Sequence, residues 1–185
     1  MTGLFGGAFD PPHNGHIALA ETALRRFGLE RLLVLVVVAP GHREIVLPFE
    51  HRFELARLAF AGLPRTEVVR EEKAYTVDAV RDGRFGPALF LVGADEFAAL
   101  STWKEPDEVL EHVRLAVATR PGYPRERLDQ ALAGLRHPER VEFFEIPAVP
   151  VSSSDVRERL ARGEPVGTLV PDAVAREIER AGLYR

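Results

Sequence analysis

His13 and His16, three residues apart, close a string in which nearly every position is chemically unusual: Gly6-Gly7-Ala8-Phe9-Asp10-Pro11-Pro12-His13-Asn14-Gly15-His16. Two imidazoles at this spacing, at the start of a helix, offer N–H donors to an anion. Bound phosphate raises imidazole pKa values, so the same rings then become cations. Gly6 and Gly7 let the backbone turn sharply or let a ligand come close. Pro11 and Pro12 stiffen the segment that presents His13. Gly15 leaves room beside the free N–H groups of the helix start, which favour anions. A polyphosphate cradle uses all of these parts. Solvent-facing histidines and a metal-binding pair stay open on the residues alone. Helical metal pairs usually sit at i, i+4 with a further ligand, and no third partner is evident in sequence.

A second anion-binding pattern comes some 140 residues later, in Val151-Ser152-Ser153-Ser154-Asp155-Val156-Arg157. Serine capping with an acidic residue in the first turn explains much of it locally. Arg157, about one turn into the helix, can also clasp a phosphate together with Ser153 and Ser154. Gly93-Ala94-Asp95 ends an apolar run, where a carboxylate suits a ribose hydroxyl or a helix cap. Trp103, the one tryptophan, offers a flat face to a heterocycle or fills a core.

These residues need a frame. Apolar strand-like runs at residues 2–5, 32–39, 66–70, 88–92, 115–118 and 141–146 alternate with helical patterns at 15–26, 48–61, from about 77, 106–112, 124–135, 154–161 and 171–181. The run at 32–39 is valine-rich without alternation, as in a strand buried on both faces of a parallel sheet. Phe49, Phe53, Leu55, Ala56 and Ala59 form the expected inner stripe of the second helix. Proline is expected at the first position of the last helix, with Gly182 ending it. The fold expected is α/β: a Rossmann-like doubly wound parallel sheet with C-terminal helices, as one domain over residues 1–185. Ligands then bind at the carboxyl ends of the strands, where the motifs fall.

Composition narrows the chemistry. The 185 residues include no cysteine, which removes disulfides, thiolate catalysis and cysteine zinc sites. A net charge of −4 argues against broad nucleic-acid binding, so charge against a polyanion must be local. No apolar run approaches a membrane span, and no signal peptide is apparent; a cytoplasmic protein is expected. Only two of the 24 basic residues are lysine, Lys73 and Lys104.

The histidine string resembles the signature of the His-x-Gly-His nucleotidyltransferase superfamily, in the form seen in the bacterial nicotinate-nucleotide adenylyltransferase family. That family is similar also in a Ser-Ser-x-x-x-Arg segment, matched by Ser153, Ser154 and Arg157. Further matches are Tyr75-Thr76-Val77-Asp78, Gly93-Ala94-Asp95 followed by Trp103, Thr119-Arg120-Pro121-Gly122-Tyr123, and a closing helix that runs to Leu183-Tyr184. They span nearly the whole chain.

The resemblance implies adenylyl transfer from ATP to nicotinate mononucleotide, giving nicotinate adenine dinucleotide (deamido-NAD) and pyrophosphate in NAD biosynthesis. His13, His16 and Arg157 would be catalytic. Gly6, Gly7, Phe9, Asp95, Ser153 and Ser154 would join them in holding ATP. Tyr75, Thr76, Trp103 and Arg43 would bind the acceptor, and Mg²⁺ would be held mainly by the ATP phosphates rather than by protein ligands. Pro40-Gly41-His42-Arg43 departs from the family's Pro-Pro-His-Lys loop, and arginine is not interchangeable with lysine there. Arg52 fits the family's next helix as a structural residue. The nearest rival, phosphopantetheine adenylyltransferase, usually has threonine where this chain has His13. A preference for nicotinamide mononucleotide needs only a carboxylate-to-amide change in the acceptor. A non-catalytic nucleotide-binding protein would leave the histidines idle.

Overall fold

The structure, a computed structural model, describes residues 1–41 and 44–184. Six strands form one all-parallel sheet: β1 (Thr2–Gly7), β2 (Arg31–Val37), β3 (Thr66–Glu71), β4 (Ala88–Gly93), β5 (Arg114–Thr119) and β6 (Val141–Glu145). Their spatial order is β3-β2-β1-β4-β5-β6, the doubly wound arrangement whose strand order reverses between β1 and β4.

Helices cover both faces: α1 (Asn14–Arg26), α2 (Phe49–Phe60), α3 (Thr76–Val80), α4 (Ala94–Ala98), α5 (Pro106–His112), α6 (Arg125–Ala133), α7 (Ser153–Ala161) and α8 (Asp172–Ala181). Side-chain alternation along each strand splits the apolar core in two. Leu32, Val34, Val36, Leu89 and Leu91 face α1, α2, α7 and α8. Leu33, Leu35, Phe90, Val92, Leu115 and Val117 face α3 to α6. Burial on both faces explains why these strands read as unbroken apolar runs.

Two expectations need correction. The inner face of α2 is Arg52, Leu55, Ala56, Ala59 and Phe60, while Phe49 and Phe53 are only partly buried. An arginine thus occupies a core position. Pro171 is the N-cap of α8 rather than its first residue, with Gly182 ending the helix at φ 63°. Gly28 follows the C-cap of α1 at φ 55°, as its position predicts. Among the described residues no helix is long and apolar enough to cross a membrane.

Candidate active site

The carboxyl ends of β1 and β4, on either side of the reversal point, open into a cleft of about 680 Å³. Gly6, Gly7, Phe9, His13, His16, Tyr75, Thr76, Asp95, Trp103, Ser153, Ser154 and Arg157 all line it. Twelve of the thirteen residues named from sequence therefore meet in one place. The thirteenth, Arg43, lies outside the described residues, as does His42.

The histidines are built into the start of α1. His13 is its N-cap, with extended backbone, and its N–H donates to Nδ1 of His16 at 3.1 Å. Accepting at Nδ1 puts the His16 proton on Nε2. The two rings stack with centroids 3.7 Å apart and planes 23° apart. Phe9 meets His16 edge-on at 5.1 Å. It is only 3% exposed and packs on Phe5 and Phe60, so it supports the His16 ring from the core more than it walls the cleft. A Cβ on Gly15 would stand 3.1 Å from the His13 ring, so a larger residue there would press on that histidine.

Burial of the His13 ring lowers its pKa from 6.5 to about 4, against the opposing pull of Asp155. Its Nδ1 is buried without a hydrogen-bond partner, and an imidazolium would leave a second donor unsatisfied there. His13 is thus neutral near pH 7 until an anion arrives. The unfolded chain takes up this proton below about pH 6.5, whereas the folded chain resists until about pH 4. Stability therefore falls as pH drops through that window, by about 3 kcal/mol in total. Urea denaturation at pH 7, 6, 5 and 4 should show this loss in the wild type and a shallower one in His13→Gln. Parallel curves for the two proteins would exclude it.

The second half of the site is brought in by α7. Ser152 is the N-cap: its Oγ accepts from Asp155 N–H at 3.1 Å, and its own N–H donates to Asp155 Oδ2 at 2.8 Å. Capping is thus served by Ser152, which leaves the next two serines for other partners. Ser153 Oγ donates to the Pro11 carbonyl at 2.8 Å. Arg157 donates to the Asp10 carbonyl at 2.7 Å and to Ser154 Oγ at 3.2 Å. The N-termini of α1 and α7 converge as a result, each adding partial positive charge to the same end of the cleft.

On the far side, Asp95 sits in the first turn of α4 but does not cap it. Gly93 holds the N-cap position, and Asp95 pairs with Arg120 at 3.0 Å. Thr76 likewise follows the N-cap of α3, which is Tyr75. Trp103 packs edge-on against Phe90 at 6.3 Å and is partly exposed to the cleft, with Nε1 buried and unpartnered. Its position thus combines the core and ligand-facing alternatives. Lys104 is held by both carboxylate oxygens of Asp78, each at 2.9 Å, and lies 5.3 Å from the Tyr75 ring.

From sequence, several residues of this region carry no expected part in the site, and Arg52 only a structural one. Both of the chain's lysines, Lys73 and Lys104, line the cleft, and their scarcity was the available signal. Buried Glu71 also lines it, pairing with Arg84 and accepting the Lys73 N–H at 2.8 Å. Buried Asp10, within the histidine loop and at the edge of the cleft, and Arg52 behind it support that loop. Arg52, 0% exposed, donates to the carbonyls of Ala8 (2.8 Å), Val37 (2.9 Å), Val38 (2.7 Å) and Leu47 (3.1 Å). Burial lowers its pKa, and Asp10 opposes that shift. Among the described residues no group of three or more His, Cys, Asp or Glu could hold a metal ion.

A parallel sheet in this order, with two helix N-termini and a histidine pair at its reversal point, defines a nucleotide-handling α/β protein. The cytidylyltransferase-like family matches residues 4–159. The chain is 37% identical over 199 residues to a protein of Moorella thermoacetica named "Probable nicotinate-nucleotide adenylyltransferase", covering 99% of this chain and 91% of that one. A protein of the same name from Thermus thermophilus is 39% identical over 192 residues, with 99% and 98% covered. The chain therefore belongs to the nicotinate-nucleotide adenylyltransferase family. Its fold is shared with the Plasmodium falciparum nicotinic acid mononucleotide adenylyltransferase solved with NaAD: TM-score 0.80, 14% identity, 99% and 96% of the chains covered.

Proposed function

We infer that the protein is an enzyme that transfers the adenylyl group of ATP to nicotinate mononucleotide, releasing pyrophosphate and forming nicotinate adenine dinucleotide for NAD biosynthesis. The observation that carries this reading is the meeting of His13 and His16 with Ser153, Ser154 and Arg157 across one cleft. Family membership supports it across the length of the chain.

The acceptor's 5′-phosphate oxygen attacks the α-phosphorus in line, and the bond from that phosphorus to the oxygen bridging to the β-phosphate breaks. A phosphomonoester has its second pKa near ~6, so the nucleophile is already largely ionised at neutral pH. No general base is then required. His13, His16 and Arg157 act as donors and cations toward the transferring and leaving phosphates, where charge shifts in the transition state. Gly6 and Gly7 would lie along ATP at the end of β1, where a Cβ would press on the rings of Phe90 (3.0 Å) and Phe9 (3.1 Å). Asp95 would take a ribose hydroxyl, exchanging part of its pairing with Arg120. Trp103 would stack on the nicotinate ring beside Tyr75 and Thr76.

Mg²⁺ fits as a companion of the nucleotide, neutralising charge on the ATP phosphates. Asp10, the acidic residue nearest in sequence to the histidines, is a poor ligand because both its oxygens already accept hydrogen bonds. A cytoplasmic setting suits the ATP requirement and the absence of cysteine.

The decisive assay supplies ATP and Mg²⁺ with nicotinate mononucleotide, nicotinamide mononucleotide or phosphopantetheine and measures pyrophosphate release. Nicotinate mononucleotide should be used with the highest kcat/KM. Release with phosphopantetheine alone, or with none of the three, overturns the reading.

A further inference from the structure

Asp10 belongs to the histidine string, yet the reaction above gives it no work. It is 4% exposed, and every oxygen it has is engaged. Oδ2 accepts from the N–H groups of Val46 at 2.5 Å and Leu47 at 3.4 Å. Oδ1 accepts from the hydroxyl of Tyr184 at 2.6 Å, a contact across 174 residues of chain. Its carbonyl receives Arg157 at 2.7 Å. Arg52 holds the carbonyl of Ala8 at 2.8 Å, so both neighbours of Phe9, itself at φ 50°, are pinned.

Tyr184 is 9% exposed and is not among the residues lining the cleft. It cannot touch substrate there. Its ring belongs to the core on the α8 side of the sheet, which a phenylalanine would fill equally well. The hydroxyl adds one thing: a donor into the buried carboxylate behind the histidines. Burial and Asp10 together push the phenol pKa far above its ordinary range, which keeps that donor protonated.

We propose that Tyr184 is a positioning residue for adenylyl transfer: by holding Asp10 Oδ1 it fixes the loop that presents His13 and His16 in register with Arg157. The inference rests on the adenylyl-transfer reading. Donors set for a transition state lose most of their effect when displaced by an ångström, whereas ground-state binding tolerates the shift. Loss of the hydroxyl should therefore act on kcat more than on KM.

Tyr184→Phe tests this, with activity expressed per folded molecule from circular dichroism at the assay temperature. We expect kcat to fall about tenfold while KM for ATP and for nicotinate mononucleotide changes by less than about threefold. Amide hydrogen exchange of Val46 and Leu47 should speed up about tenfold as Asp10 loosens, while amides in β4 and β5 stay as they are. Asp10→Asn, which turns an amide nitrogen toward either Tyr184 or Val46, should give the same kcat-weighted loss. A lower melting temperature with kcat per folded molecule within twofold of wild type overturns the proposal, as does unchanged exchange at Val46 and Leu47. Wild-type protein assayed alongside separates the two readings. An inactive wild type defeats the adenylyl-transfer assignment and the catalytic role with it, whereas an active wild type with an equally active Phe variant defeats only the role of Tyr184.

Discussion

His16→Ala lowers kcat by about 10²–10³-fold, the scale for removing one preorganised donor to a developing charge, with much smaller changes in KM. The ring does two jobs at once. Nδ1 accepts the His13 N–H at 3.1 Å, which fixes the tautomer and offers Nε2–H as a donor. Its face stacks on His13 at 3.7 Å while Phe9 supports its edge. Alanine removes the donor and the brace together. Asparagine separates them, because its side-chain oxygen can stand where Nδ1 stands but no donor reaches the position of Nε2. His16→Asn should thus keep the wild-type unfolding free energy within about 0.5 kcal/mol, the usual scale of a mild substitution, and still lose most of its turnover. Steady-state rates and urea melts of the two variants check this. Turnover within threefold of wild type in either one would remove His16 from the chemistry.

Arg52→Leu should cost more stability than His16→Ala, Tyr184→Phe or Asp10→Asn. Arg52 is completely buried, and its guanidinium ties together the ends of β1 and β2 and the segment leading into α2. Leucine fills part of the space but leaves the carbonyls of Ala8, Val37, Val38 and Leu47 without their donor. An unsatisfied buried acceptor costs about 1–3 kcal/mol, and water can reach only some of these. Asp10 also loses the buried cation that offsets its charge. We expect a loss of about 4 kcal/mol or more, a large part of the roughly 5–15 kcal/mol that holds a typical domain together. Arg52→Lys, able to serve only one or two of the carbonyls, should fall between. Equilibrium denaturation decides it, and a loss below about 1 kcal/mol for leucine would show that the carbonyls find other partners.

These two residues also mark how far the sequence is legible. His16 announced itself because its chemistry is local: turn glycines, stiffening prolines and a helix start lie within eleven residues. Ser153, Ser154 and Arg157 were legible for the same reason, within one turn of a helix. The sheet was legible from its unbroken apolar runs, since burial on both faces leaves little choice of residue at each strand position.

Arg52 was not legible as a core residue. Its helix reads as amphipathic with Phe49 and Phe53 inward, and only the arrival of four carbonyls from elsewhere makes a buried guanidinium tolerable. Tyr184 reads as a tail residue until its hydroxyl is seen on Asp10. The caps were legible in part: serine capping holds at Ser152, whose box with Asp155 closes the start of α7. At α3 and α4 the cap positions fall instead to Tyr75 and Gly93, so that Thr76 and Asp95, like Ser153, face the cleft.

Contacts between Pro11 and Ser153, and between Asp10 and both Arg157 and Tyr184, span 142, 147 and 174 residues. On a ribosome the histidine loop emerges among the first residues made, and Arg157 follows only after roughly 7–30 s of elongation at about 5–20 residues per second. Throughout that interval the growing chain carries half a phosphate cradle with its closing half not yet synthesised. ATP is abundant around it, but a partial product of translation has nothing with which to clasp the nucleotide. Ligand binding can then stabilise only chains that have been translated far enough to work.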